Sequence, residues 1–460
     1  MDLRVFRQVW PDLPADDGFF SRCEEWKSIY AGAPPWANVT TKSIKRKYQR
    51  KMSQLGTAKL LCDEFAHKIF GEQVEISTGI DTYDDWIRDF LNREGFWKNM
   101  TQYLSRAFAV GGFCMKEYIG GGKVRLNFIN GDNFYPTEWT GKDIVGGVFG
   151  AVTVKNKLYY TYLERHGFTD GHTTIERRLF RSSTEGALGV EVPLDDLFEL
   201  DDTPVTDVPM FQYYKPDIAN NLNDLPLGIS CYANCEDTLK ALDVAFDSFT
   251  REFVLGKKRI IVPSSCIRTV VDPDTGKPER YFDTDDEVYQ ALKCDDDKDL
   301  KIQDNTTALR VEEHVRAINS LLNILCMQTG LSAGTFSFDM QQGMKTATEV
   351  ISEESKTALT VKAHKNLLVE SIEGMIRASL ELAVQTGELR AEQYDLAVGF
   401  KDSIIIDDNQ MIENNINLVA AGLKSKLTAI MDVMRCDEET AHKELERINA
   451  EAPVVGEMLM

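Results

Sequence analysis

Two amphipathic seams constrain what this chain can fold into more than any other feature of its sequence. Leu239, Leu242, Phe246, Phe249 and Phe253 recur in alternating steps of three and four, and Val311, Val315, Ile318, Leu322 and Leu325 repeat that rhythm. The spacing places each set on one continuous stripe of an α-helix, and such a stripe must be covered. Its cover is either the other helix of the pair or a neighbouring copy of the chain. Between the seams lie the strand-like runs RIIVP and IRTVV, the turn Asp272-Pro273-Asp274-Thr275-Gly276 and an acidic stretch ending at Asp304. Two helices should therefore bracket a compact, mostly β insertion of about fifty residues. A separate face of the first helix carries Glu236, Asp243 and Asp247.

Upstream, Trp26 to Gly112 reads as helical. TAKLLCDEFAHKIFGE puts Leu60, Leu61, Phe65 and Ile69 at helical spacing, and the stretch from Tyr83 puts Trp86, Phe90, Trp97, Leu104 and Phe108 on one face. Gly111-Gly112 should end it. From Phe113 the period moves towards two. FCMKEYI and KVRLNFI flank Gly120-Gly121-Gly122 as a hairpin, and GGVFGAVTV, LYYTYLERH, TTIERRLFR and VPMFQYYKP read as further strands. YKPDIANNLNDLPLG is a loop by its Pro, Asn, Asp and Gly content. After the second seam come a polar loop, SAGTFSFDMQQGMK, and a long helix from about Thr346 to Thr386 striped by Leu368, Ile372, Met375, Ile376 and Leu380. LAVGFKDSIII is a strand candidate, and the C-terminal segments MIENNINLVAAGLKSKLTAIMDVM and DEETAHKELERINAE are helical. The class is α+β, predominantly helical.

Catalytic patterns are missing. Gly120, Gly121, Gly122 and Lys123 lack the phosphate-loop spacing, and Val124 follows the lysine, so a hairpin turn is expected there. None of His67, His166, His172, His314, His364 or His442 lies in an H-E-x-x-H motif, and there is no C-x-x-C pair. Cys231 and Cys235 read as buried or inert thiols, Asp272 and Asp274 as a solvated turn, and the acidic run Cys294 to Asp299 as a solvated loop. No G-x-S-x-G elbow is present. No cofactor, metal or enzymatic activity is expected.

The N-terminus lacks the features of a secretory signal, no apolar run is long enough to cross a membrane, and the scattered cysteines suit a reducing cytoplasm. The net charge of −21 argues against tight non-specific DNA binding, which needs Lys and Arg to displace counterions. It leaves room for DNA that passes without sticking. One basic stretch, Lys42, Lys45, Arg46, Lys47, Arg50 and Lys51, stands apart. It reads as a solvated helix face, or as a contact to an acidic neighbouring subunit or to DNA.

Five strings, in order, resemble the portal proteins of tailed phages of Gram-positive bacteria: WKSIYAGAPPW (Trp26 to Trp36), TAKLLCDEFAHKIFGE (Thr57 to Glu72), DTLKALDVAFDSFTREFVLGKKRIIVP (Asp237 to Pro263), GLSAGTFSFD (Gly330 to Asp339) and KTATEVISEESKTALTV (Lys345 to Val361). The resemblance implies a portal fold of wing, stem, clip, tunnel loop and crown. Residues 1–228 would be wing, 229–255 the first stem helix, 256–305 the clip and 306–330 the second stem helix. Residues 331–345 would hold the tunnel loop, 346–406 the long wing helix and a returning strand, and 407–460 a small crown. It further implies a dodecameric ring at one capsid vertex, assembled in the host cytoplasm and carried in the virion. That ring would conduct double-stranded DNA and dock the terminase large subunit and then a head-completion or adaptor protein, with major capsid and scaffolding proteins around it. Phe338, Asp339, Met340, Gln341, Gln342, Gly343, Met344 and Lys345 would form the loop near DNA, Glu236, Asp243 and Asp247 would face the channel, and the seams would bury apolar surface between adjacent protomers. Another ring-forming virion connector is the alternative class.

Overall fold

The change of sequence period at residue 111 is where helices give way to sheets. The computed structural model describes residues 3–13, 18–42, 47–71, 74–141, 143–169, 171–197, 206–256, 260–261, 268–271, 276, 278–281, 303–304, 308–338, 347–400, 408–434 and 438–451. Before the change come α1 (Leu3–Val9), α2 (Phe19–Tyr30), the strands β1 (Asn38–Lys42) and β2 (Lys47–Lys51), α3 (Thr57–Phe70), β3 (Val74–Ser77), α4 (Asp81–Arg93) and α5 (Phe96–Val110). Gly111 closes α5 with φ 98°, and a Cβ there would lie 2.2 Å from the Gly228 carbonyl oxygen. Only glycine fits.

Two expectations for this region need correction. The segment from Trp26 is not helical throughout, because β1 and β2 pair antiparallel, and Lys42, Lys47, Arg50 and Lys51 of the basic stretch lie on those strands. Val39, Thr40, Thr41 and Tyr48 favour a pleated surface over a helix, and that local preference won. The stretch from Tyr83 is likewise two helices, broken where Gly95 takes φ 67°. The break leaves Trp97 38% exposed, whereas Phe90, Leu104 and Phe108 are fully buried. Leu60, at 52% exposure, lies off the buried face of α3.

Beyond Gly111 the sheets follow: β4 (Phe113–Gly120), β5 (Lys123–Asn130), β6 (Phe134–Thr140), β7 (Asp143–Lys155), β8 (Leu158–Thr169), β9 (His172–Ser182), β10 (Val190–Val192) and β11 (Phe211–Tyr214). The β4–β5 turn at Gly121 and Gly122 has φ 63° and 70°, the left-handed pair that a two-residue hairpin needs. One sheet has the order β11-β4-β5 and the other β10-β9-β8-β7-β6, all pairs antiparallel. Sequence patterning found β4, β5, β7, β8, β9 and β11 but not the short β3 and β10, nor β6, whose register is broken at Glu138.

The sheets meet around a buried charge cluster. Glu164 of β8 accepts from Lys116 Nζ of β4 and from the Tyr162 hydroxyl at 2.6 Å, and lies 2.7 Å from His166 Nε2. Burial alone would raise its carboxyl. The Lys116 charge and the His166 hydrogen bond outweigh burial and hold it well below the usual range.

The remaining elements are α6 (Glu236–Leu255), β12 (Ile260–Ile261), β13 (Arg268–Val271), β14 (Pro278–Tyr281), β15 (Gln303–Asp304), α7 (Val311–Thr329), α8 (Ala347–Gln385), β16 (Ala397–Phe400), α9 (Asp408–Ala420), α10 (Lys426–Met434) and α11 (Glu438–Glu451). Leu368, Ile372, Met375, Ile376 and Leu380 of α8 are buried to 1% or less, as their stripe predicts. His364 of α8 stands edge-on to the stacked rings of Phe65 and Phe108, and burial pulls its imidazole down to about 4. The chain divides into two compact units, residues 1–71 with 76–398, and residues 72–75 with 399–460. In the second, α10 packs on both α9 and α11.

Glu117 generates a stability prediction. It is fully buried on β4, neither carboxyl oxygen has a hydrogen-bond partner among the described residues, and burial pushes its pKa well above the usual range. A raised carboxyl costs nothing below its unfolded pKa and increasingly destabilises as pH rises towards the folded one. Glu117→Leu should therefore raise stability by about 1–3 kcal/mol at neutral pH, the usual cost of an unsatisfied buried polar group. The gain should shrink towards pH 4, as thermal melts across pH would record.

Candidate assembly surface

α6 and α7 form an antiparallel pair. Thr238 Oγ1 donates to Gln328 Oε1 at 2.8 Å at one end, and Arg310 forks onto Glu252 at 2.9 and 3.1 Å at the other. Between those ends Leu239, Leu242, Ile318, Leu322 and Leu325 are buried. Phe246 and Phe249 are half-buried under Phe338, with ring centroids 6.2 and 5.6 Å away, and Val315 is half-buried as well. Only the ends of the seams, Phe253 at 45% and Val311 at 37%, are exposed. The expectation that these seams bury surface between protomers is thus corrected. They cover each other within one chain because equal three-four spacing lets antiparallel stripes interlock.

The acidic face of α6 is also not where the sequence reading put it. Trp26 Nε1 donates to Glu236 at 3.0 Å, and Trp36 Nε1 donates to Asp243 at 2.8 Å. Asp243 accepts a second bond, from the Leu55 amide at 3.0 Å. Arg50 grips Asp247 bidentately at 2.7 and 2.6 Å, and the Ser53 amide adds a bond at 3.0 Å. Asp243 and Asp247 are 7% and 5% exposed, so they are not channel-facing acids. They are acceptors for donors of the chain's own segment 36–55. Glu236, half-buried beneath Trp26 and Arg22, belongs to the same strip. Burial raises the carboxyls of Glu236 and Asp243, whereas the Arg50 hydrogen bonds hold Asp247 below the usual range. Trp26, Trp36 and Arg50 were missed as functional partners of α6. The signal was there in the paired tryptophans, since a buried indole N–H needs an acceptor.

What remains open on the helix pair is a different set of residues. Val244, Ser248, Arg251 and Leu255 follow steps of four and three on α6, with Val244 43% and Leu255 52% exposed. Glu313, Ser320, Ile324 and Met327 align on α7, with Ile324 41% and Met327 64% exposed. At roughly 100° per residue, each stripe lies about half a turn from its own seam. The pair therefore carries two open stripes on opposite flanks.

The insertion after α6 is partly described. β12 pairs antiparallel with β15, and β13 pairs with β14 as a hairpin. Asp272, Asp274 and the acidic run Cys294 to Asp299 lie outside the described residues, as do Asp339, Met340, Gln341, Gln342, Gly343, Met344 and Lys345. Phe338 is described. Its amide donates to Asn319 Oδ1 at 2.7 Å and its ring packs on Phe246 and Phe249 of α6, which holds Phe338 itself against the helix pair. Cys231 and Cys235 are buried free thiols, with Cys231 Sγ 3.8 Å from Cys62 Sγ. Among the described residues no cluster of three or more His, Cys, Asp or Glu could hold a metal, and no helix is long and apolar enough to cross a membrane.

A family model described as phage portal protein, SPP1 Gp6-like, matches residues 13–453. No curated protein matches the chain significantly.

Removing Asp247 tests the acceptor strip. Asp247→Ala leaves Arg50 without its carboxylate and should cost about 2–4 kcal/mol, less than a fully buried pair because Arg50 keeps some solvent contact. A depressed carboxyl contributes fully above its unfolded pKa, and the contribution is lost as pH falls through the folded one. The stability gap between wild type and variant should therefore hold from neutral pH to about 4 and close only in stronger acid. Denaturant melts at several pH values measure it.

Proposed function

Because this chain belongs to the SPP1 Gp6-like phage portal proteins, we propose that it forms the dodecameric ring at one capsid vertex through which double-stranded DNA is packaged and ejected. The observation that carries this reading is the pair of open stripes on opposite flanks of α6–α7. A surface that meets a different surface on the next copy builds a head-to-tail interface, and such interfaces close into rings when the rotation allows. A two-fold dimer would need one self-complementary patch instead.

In this reading α6 and α7 are the stem, the strands between them the clip, α8 the long wing helix and α9 to α11 the crown. The loop after Phe338 reaches the tunnel, and the ring docks terminase during packaging and a head-completion protein afterwards, within a shell of capsid and scaffolding proteins. The role is structural and not catalytic. The −21 charge suits it, since a conduit that gripped phosphates would stall what it conducts. Asp243 and Asp247 are not what keeps DNA off the wall, because they are spent inside the protomer.

Native mass measurement and top-view imaging of the purified protein should give closed rings. Ile324→Asp with Met327→Asp should shift the population to smaller species with unchanged secondary structure, because the charges would be buried in the interface. Leu242→Asp should instead unfold the helix pair. Stable monomer for the wild type across micromolar concentrations would overturn the ring.

A second test addresses the loop. Deleting Gln341 to Gly343 should leave rings intact, while the DNA content of heads carrying the deleted ring falls sharply against wild type. Equal DNA content would remove the loop from the tunnel.

A further inference from the structure

Two cysteines that are distant in the chain meet inside the larger compact unit. Cys62 lies on the buried face of α3 and Cys231 in the turn before α6, 169 residues later, and their sulfurs stand 3.8 Å apart. Both are free thiols, Cys62 fully buried and Cys231 8% exposed.

The frame around the sulfurs is firm. The Cys231 amide donates to the Phe108 carbonyl of α5 at 2.9 Å, and the Cys235 amide closes the turn on the Tyr232 carbonyl at 3.0 Å. The Tyr232 hydroxyl donates to the Trp26 carbonyl of α2 at 2.8 Å. α3 is fixed from the same side, because Phe65, three residues after Cys62, stacks on the Phe108 ring with centroids 4.7 Å apart. Phe108 therefore holds both segments, one by its carbonyl and the other by its ring. Bonded sulfurs lie about 2.05 Å apart, so closing the pair asks each atom to move by a little under ~1 Å. Thiols held at such a distance react as if highly concentrated, because folding has already brought them together.

We propose that Cys62 and Cys231 form a disulfide when a small oxidant of the hydrogen peroxide class reaches the folded protein, and that this bond staples α3 to the root of α6. The Cys231 thiol gives up its proton and its sulfur attacks one peroxide oxygen. The O–O bond breaks, and the leaving hydroxide takes that proton as water. Cys62 then loses its own proton and attacks the sulfur of the Cys231 sulfenic acid. The S–O bond breaks and a second water leaves, so two thiols lose two electrons and one peroxide becomes two waters. Burial pushes the Cys231 thiol well above the usual range, which makes the first step slow and excludes bulky reagents. It also leaves Cys62, and not a second peroxide, beside the sulfenic acid. A bond across 169 residues closes a long loop, the case in which a disulfide restrains the unfolded chain most. A particle that leaves a reducing cytoplasm meets such oxidants, so the portal reading supplies the occasion for the bond and not its chemistry.

The test is a peptide map read together with a melt. Reduced wild type is exposed to dilute hydrogen peroxide in the native state, blocked with N-ethylmaleimide in denaturant and digested without reductant. A linked Cys62–Cys231 peptide should appear, lighter than its two parts by the mass of two hydrogens, and dithiothreitol should abolish it. The melting temperature should rise by about 5 °C on oxidation and return on reduction. Cys62→Ala and Cys231→Ala should each lose both the linked peptide and the rise. Should either variant fail to fold by circular dichroism, the wild-type map and its reversible melt decide alone. Recovery of both cysteines as maleimide adducts after peroxide overturns the proposal, and so does Cys231 linked to Cys235 or driven to the sulfinic acid. A linked peptide with an unchanged melting temperature overturns the staple. Wild type that forms no ring overturns the portal reading, while the linked peptide still upholds the disulfide.

Discussion

Three carboxylates on one face of α6 hold the N-terminal third of the chain to the helix pair. Glu236, Asp243 and Asp247 accept from Trp26, Trp36, Arg50 and the amides of Ser53 and Leu55, so the segment from α2 to the start of α3 lies along α6 in one register. Charged acceptors are suited to this. A carboxylate offers two oxygens to donors that are otherwise costly to bury, and the geometry admits few alternatives. Remove the strip and the β1–β2 sheet loses its anchor, the open stripes lose their fixed relation to that sheet, and α3 loses its lead-in. The acids repel nothing. They organise the protomer.

This explains which features were legible in the sequence. The two seams, the long α8, the Gly111 stop and the β4–β5 turn rest on spacing between near neighbours, which periodicity reads directly. The partners of Asp243 and Asp247 lie about two hundred residues away in the chain, at separations of 188 to 207. No local period encodes such a pairing. An acidic stripe on an amphipathic helix looks the same whether solvent or a distant arginine faces it. The seams show a related ambiguity. Spacing says that a stripe must be covered, and only the fold says that Ile318 and Leu322 do the covering.

The β-rich part shows the same economy of charge. Lys116 and Glu117 are neighbours on β4 and point to opposite faces, one into a hydrogen-bonded network with Glu164, Tyr162 and His166, the other into an apolar layer without a hydrogen-bond partner among the described residues. Alternation on a strand forces that divergence, because residues one apart cannot share a face. The network ties the two sheets together at one point and fixes their register. Glu117 contributes nothing comparable, and the structure gives no reason for its carboxyl. A fold can carry one such group when the surrounding core is large. Here Phe113 and Met115 on the same face of β4 are fully buried.

A consequence follows for how copies hold together. Since the apolar seams are consumed inside each protomer, what the helix pair would offer to the proposed assembly are narrow, mixed stripes with exposed Val244 and Leu255 on one flank and Ile324 and Met327 on the other. In the proposed ring such a contact would be individually weak, and closure would be what makes it sufficient. In a closed ring every copy is held by two interfaces, so losing one copy means breaking both at once, whereas an open fragment loses its end copy by breaking one. Weak pairwise contacts multiplied by closure would give the proposed ring a way to form from folded protomers and stay shut. The same weakness would let neighbouring helix pairs of the proposed ring shift slightly against one another without unfolding, since the seams that hold each pair together lie elsewhere.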